Sequence, residues 1–337
     1  MLISVYVPFV VTAVLTLLAP RLARRLTPRP AAWALACAAL VTAVGWTGSL
    51  TLLAFTGIAQ IPQVAAEGHW SASALRAEDP VYLVVAAVSA LVLAASVVSV
   101  GVATFRQVRH VVRARRECAA LPGDVELAVL DDDAPLAFAL PGGPGRIVVS
   151  RGMLCCLGDD ERAALLAHER AHLRGRHHLF LSLWRLTSAL NPLLRPLAHT
   201  GAFVLERWAD EEAAARVGDR AAVARAVGRA ALAAAGASRP ALAATGGEVP
   251  QRVRALLAPP PARRASPFLA GALLLTVCCA SLANAASDSD RMVDSAIRAQ
   301  CAALSATTTA PPADDHRHGP GFCCGPHHRG EFGEHRS

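Results

Sequence analysis

The sequence predicts an α-helical membrane protein of four spans, with an α+β domain inserted between the third span and the fourth. The 337 residues are 53% hydrophobic and only 18% charged, more apolar than one soluble core requires. Uncharged apolar runs cover residues 2–19, 31–55, 81–104 and 267–286, each close to or above the ~20 residues a helix needs to cross a bilayer. Between the last two runs lies a charge-rich stretch, residues 105–266, large enough for a folded domain.

Arginine bias sets the direction. The connection after the first run carries Arg21, Arg24, Arg25 and Arg29, whereas the connection from Thr56 to Pro80 carries only Arg76. Basic residues concentrate on the cytoplasmic side of short loops, so the first connection is expected inside and the N-terminus outside. Arg106, Arg109, Arg113, Arg115 and Arg116 after the third run, and Arg252, Arg254, Arg263 and Arg264 before the fourth, agree with an inserted domain in the cytoplasm. The first run lacks a basic leader and is read as a retained anchor. This makes a lipid bilayer the expected surroundings, with residues 287–337 as an extracytoplasmic tail.

All 33 basic residues are arginine, which excludes a phosphate-loop lysine, a Schiff base and a Ser-x-x-Lys acylation site. The formal charge of +7 is carried largely by arginines beside apolar runs, so direct nucleic-acid binding is not expected. Nine cysteines without a CxxC pair argue against a disulfide scaffold or zinc knuckle.

Within the inserted domain, Val125 to Leu130 and Arg146 to Ser150 are β-prone and separated by DDDAP and PGGPG turns, the pattern of a small sheet. Acidic residues at Asp159, Asp160 and Glu161 suit a helix N-terminus, so a helix is expected from near Asp159. On it lies HERAH, in which His168 and His172 at i and i+4 share one face and can converge on one ion, with Glu169 beside them. Neutral imidazoles keep zinc Lewis-acidic enough to bring a bound water's pKa toward roughly 7, and Glu169 can accept that proton and pass it to the leaving amine. The expected cofactor is one Zn2+.

The third ligand is open to two readings. In LERWADEEAA, Glu206 can complete the set, with Asp210 on the same helix face to hydrogen-bond a ligand imidazole. Alternatively HERAHLRGRHH satisfies HExxHxxGxxH, with Gly175 breaking the helix and His178 as ligand. That pattern goes with a methionine turn, and Met1, Met153 and Met292 leave none downstream in the domain, so Glu206 and the gluzincin reading are preferred. His177 and His178 are then expected at the helix end, near free carbonyls.

AFALPGGPGRIVVSRGML, DDERAALLAHERAH and LERWADEEAA together resemble the BlaR/MecR-type membrane metallopeptidases of bacteria. The resemblance covers roughly Val125 to Leu257, and three spans before the domain with one after extend it. It implies His168, His172 and Glu206 as zinc ligands, Glu169 as catalytic glutamate and Asp210 as the aspartate of Glu-x-x-x-Asp. It also implies a cytoplasmic BlaI-like winged-helix repressor as protein substrate, cleaved in response to an external signal. The sequence departs from the family after the last span, where about fifty residues without lysine replace the penicillin-binding sensor. The tail holds His316, His318, Cys323, Cys324, His327, His328 and His335 in a Pro/Gly-rich context expected to be disordered. Two alternatives remain: a quality-control or processing protease similar to HtpX or the CAAX prenyl protease, and a non-catalytic receptor binding metal through its tail.

Overall fold

A computed structural model describes residues 2–23, 26–67, 70–73, 83–120, 126–142, 145–237, 247–259 and 266–308. The three N-terminal apolar runs become α1 (Leu2–Ala23), α2 (Pro28–Ala59) and α4 (Leu83–Ala120), with the short α3 (Pro62–Glu67) after α2. Pro28 and Pro30 sit at the start of α2, where proline's missing N–H removes no intrahelical bond. Among the described residues α2 and α4 are long and apolar enough to cross a membrane, and α1 adds the shorter apolar stretch Val5–Arg21.

At 1.5 Å per residue α4 reaches about 57 Å, well beyond the ~30 Å of a bilayer's hydrocarbon. It runs through the expected domain boundary at residue 105 without a break, carrying Arg106 to Arg116 on its far end. The fourth run lies within α11 (Ser266–Thr308). This helix continues past the expected span end at 286, so the first part of the expected disordered tail is helical. No glycine or proline interrupts the sequence from Ser287 until Pro311, which leaves nothing to stop it. The histidines and cysteines from His316 onward lie outside the described residues.

The inserted domain runs β1 (Leu127–Leu130), β2 (Ala137–Leu140), β3 (Arg146–Ser150), α5 (Arg151–Cys155), α6 (Asp159–Arg174), α7 (His177–Leu190), a 3-10 turn (Pro192–Leu194), α8 (Arg195–Val217), α9 (Arg220–Ala237) and α10 (Glu248–Leu257). The sheet order is β1-β3-β2, with β1 parallel to β3 (Leu127 opposite Ile147) and β2 antiparallel to it (Ala137 opposite Val149). Being central, β3 is buried along its whole length, and Ile147 and Val149 pack with Met153, Leu157 and Leu165 to seat α6 on the sheet. The sequence reading missed β2, because its AFAL is half alanine, a poor strand former, and pairing with β3 supplies what local preference does not.

Helix α6 begins at Asp159, where the Glu161 carboxylate accepts the Gly158 backbone N–H at 3.0 Å, the half of a capping box that a glycine N-cap allows. Small residues then set its distance from α8: Ala164, Ala167, Ala209, Ala213 and Ala214 are all buried, and Ala164 and Ala167 share one cluster with Ala213 and Ala214. Without bulk between them, the helices approach closely enough for side chains from both to reach one point.

The apolar run from Leu179 to Val204 folds as the hairpin α7–α8, turned by Pro192 and by Asn191, whose Oδ1 accepts the Leu193 N–H at 3.0 Å. Its Phe180, Trp184, Leu194, Leu197 and Val204 share a core with Val11 and Leu15 of α1 and Leu35 and Ala39 of α2. At the tip, the Thr16 hydroxyl of α1 donates to the Leu193 carbonyl at 3.0 Å. The hairpin therefore packs on the apolar helices while its α8 half continues into the domain.

Candidate metal centre

His168 and His172 stand one turn apart on α6, and Glu206 approaches them from α8. His168 Nε2 lies 3.1 Å from His172 Nε2, and the Glu206 carboxylate oxygens lie 3.6 Å from the first and 3.5 Å from the second. Tetrahedral zinc with bonds of roughly 2.0–2.1 Å needs donors about 3.3 Å apart, so three atoms of this type at these separations fit one ion. These are the residues whose donor atoms converge within 4.8 Å of one another among those described.

Around the donors the structure gathers groups from α6, α8, α9, α10 and the sheet edge. Asp210 is buried, with Oδ1 3.0 Å from His168 Nδ1, an ion-pair approach without the alignment of a hydrogen bond. Arg252 of α10 donates Nε to Asp210 Oδ2 at 2.8 Å and Nη2 to Oδ1 at 2.7 Å, and its Nη1 lies 2.8 Å from Glu206 Oε2. Glu169, on α6, is buried at the floor of a cleft of about 320 Å³ that also meets Leu136 and Ala137 at the sheet edge and Val227 and Ala230 of α9.

Arg252 and His177 are members of the site that the sequence did not suggest. His177 was expected at a helix end beside free carbonyls; it opens α7 but is 1% exposed, its Nδ1 lies 2.9 Å from His172 Nδ1, and its ring packs at a tilt of 51° against Trp208 with centroids 4.6 Å apart. The turn explains why. The chain reverses at Arg176, which takes the left-handed conformation (φ 50), while Gly175 has an ordinary φ. Gly175 is needed for space, since a Cβ there would stand 2.4 Å from the His177 ring. His178 turns away from the donors and lines a separate cleft with Gln107, His110 and Arg115, so the three-histidine alternative is not the geometry adopted. From Trp208 the aromatic contacts continue through Phe180, 6.1 Å away, to Trp33 on α2, 5.0 Å further.

The charges are mutually compensated. Burial opposes a charged His168, but the adjacent Asp210 and Glu206 carboxylates outweigh it and raise its pKa to about 9. Burial and the charge of His168 lower His172 to about 4, and burial with His172 beside it lowers His177 to about 3. Burial pushes Glu169 up from the usual carboxylate range. Although burial also works against a charged Glu206, His168 and Arg252 hold it well below that range, and Arg252 with His168 does the same for Asp210. The His168 ring thus lies between two carboxylates, Asp210 at Nδ1 and Glu206 at Nε2, and a metal ion would take the Nε2 side.

Two histidines and a glutamate converging beside a buried carboxylate, on a helix seated against a small sheet, define a metallopeptidase, an enzyme class that depends on its metal. Residues 102–202 match Peptidase family M48, which covers α6 and its HERAH but stops short of Glu206. A 53-residue stretch is 51% identical to the mitochondrial metalloendopeptidase OMA1 of Schizosaccharomyces pombe, 15% of each chain, so the chain spans only a small part of that relative's length. No solved structure matches. The metallopeptidase reading of the sequence therefore stands, with M48 as the family matched, and the apolar helices α2 and α4 fit a membrane protein.

Proposed function

We propose that the protein is a membrane-embedded zinc endopeptidase in which His168, His172 and Glu206 hold the ion, Glu169 is the general base and Asp210 fixes the tautomer of His168. The observation that carries this is the convergence of three donors at 3.1–3.6 Å beside a buried glutamate. Zinc held there would acidify a water molecule and polarise the scissile carbonyl. Glu169, its pKa raised by burial, is suited to accept the water's proton and return it to the leaving amine. Asp210 and Arg252 keep the ligands aligned, and the edge of β2, which pairs with no other strand among the described residues, offers main-chain groups to an extended peptide.

Four spans, with the domain on the cytoplasmic side of a bacterial inner membrane, remain our reading of the arginine bias. Two substrate classes follow. The span arrangement and the quoted motifs favour a BlaR/MecR-type peptidase cleaving a cytoplasmic BlaI-like repressor. The M48 match and the identity with a mitochondrial metalloendopeptidase favour a processing or quality-control protease acting on membrane-proximal chains. Both share the site chemistry and differ only in what enters the cleft.

The test is zinc content and proteolysis of the solubilised full chain, wild type beside Glu169→Gln and Glu206→Gln, offered a BlaI-like repressor and an unfolded membrane protein in parallel. Glu169→Gln should keep zinc and lose cleavage of either substrate by about 10²–10⁴-fold, and Glu206→Gln should lose both. Zinc retained at full occupancy by Glu206→Gln would sink the ligand assignment. Cleavage of one substrate alone selects its class.

A further inference from the structure

A second cleft, of about 720 Å³, lies between α4, α7 and the first turns of α8, and shares no residue with the catalytic cleft. Its mouth is basic: Arg106 from α4, Arg185 from α7, and Arg195 and His199 from α8 line it, and no acidic residue does. Among the described residues none of these three arginines has a carboxylate partner, and Arg185 meets only the Gln107 amide oxygen at 3.3 Å. The wall is apolar, formed by Val102, Leu181 and Ala202. Two buried polar atoms on its lining, Trp184 Nε1 and Ser188 Oγ, have no hydrogen-bond partner, and Trp184 is 1% exposed.

The cleft straddles the end of the uncharged stretch of α4. Arg106 is the first charged residue after the long uncharged stretch of α4, and Ser99, also on the lining, lies about 10 Å back along that stretch. The hairpin tip is tied to Thr16, within the apolar part of α1, and Arg195 follows one residue after the 3-10 turn at that tip. An arginine at this depth is costly unless an anion meets it, and a phosphate on an acyl chain supplies both halves of the lining.

We propose that this cleft binds an anionic phospholipid from the leaflet on the peptidase-domain side, its phosphate between Arg106, Arg185 and Arg195 and its acyl chains along Val102 and Leu181. The site rests on α4 crossing the membrane and is independent of catalysis. Its position has a consequence for the enzyme: α8 begins at Arg195 and carries Glu206 three turns later, so the lipid fastens the base of the helix that brings the third ligand.

The test is native mass spectrometry of the detergent-solubilised full chain with equimolar dioleoyl phosphatidylglycerol and dioleoyl phosphatidylcholine. The wild type should retain one phosphatidylglycerol in preference by about tenfold, and R106Q/R195Q should fall to about twofold or less, with R195Q alone in between. R109Q/R113Q, which removes two exposed arginines of the same helix outside the cleft, should keep the wild-type preference, and circular dichroism should show equal helicity throughout. Absence of preference in the wild type, or an equal loss in R109Q/R113Q, overturns the site in favour of diffuse attraction. Displacement of the lipid by excess inorganic phosphate overturns it in favour of a free-anion site.

Discussion

Replacing Arg252 by glutamine tests how the metal centre is held before any metal arrives. The Arg252 side chain is only 12% exposed, and its guanidinium meets Asp210, 2% exposed, through two bonds of 2.7–2.8 Å, and Glu206, 34% exposed, through a third at 2.8 Å. Removing one partner of a buried ion pair leaves the other charge without compensation, a loss of about 3–5 kcal/mol. The Glu206 bond is partly screened by solvent and adds little, so the lower end, about 3 kcal/mol, is expected for Arg252→Gln. In a domain of this size that is about 6–12 °C in the melting temperature of the metal-free protein. Zinc bound as proposed would supply positive charge at Glu206, so the loss should be smaller after metal loading. Thermal denaturation of the chelator-treated protein, with and without added zinc, reads both. A double-mutant cycle with Asp210→Asn should give a coupling of about 2 kcal/mol. A metal-free Arg252→Gln that melts within about 1 °C of wild type, or additive effects in the cycle, would refute the compensated-cluster argument.

Three further outcomes are expected. Because the pKa of His168 is raised to about 9, it is protonated in the metal-free protein at neutral pH, and metal must displace that proton. Affinity should therefore rise about tenfold per pH unit from pH 6 to 8, with about one proton released per ion in calorimetry across buffers of different ionisation heats; buffer-independent heats would rule this out. His177→Ala removes the 2.9 Å contact on His172 Nδ1 and should weaken metal binding about 10–100-fold, whereas His178→Ala should bind like the wild type, as a chelator competition titration would show. Gly201→Val places a Cβ 2.6 Å from the Trp184 ring and should destabilise by about 1–3 kcal/mol, while Gly228→Ala, with open space around it, should not; equal melting temperatures for the two would contradict the packing described.

What could be read in advance follows from how local each signal is. HERAH is a statement about five consecutive residues, and the helical period alone puts its histidines on one face, so its placement on α6 was legible once Asp159 to Glu161 marked the helix start. The apolar runs that became α2 and α4 were equally legible, because crossing a bilayer is a matter of length and composition. Glu206 was found from the spacing of a second charged helix, although nothing in that spacing says how closely the helices approach. That is decided by alanines on both, whose small size means nothing until they are seen facing each other.

The sequence by itself determined the chemistry available here: two imidazoles at helical spacing, a glutamate beside them, a second acidic helix, and apolar segments long enough for a membrane. Only the tertiary structure decided which partners serve that chemistry. Arg252 lies 42 residues from Asp210 and reads in the sequence as one more arginine flanking a span, yet it closes the carboxylate cluster. His177 looked like a helix end, and the left-handed turn at Arg176 folds it under His172. Strand β2 has little propensity of its own and exists because β3 pairs with it. In each case the deciding energy comes from a contact between groups distant along the chain or redirected by a turn. Such a contact leaves no periodic trace in the residues that make it.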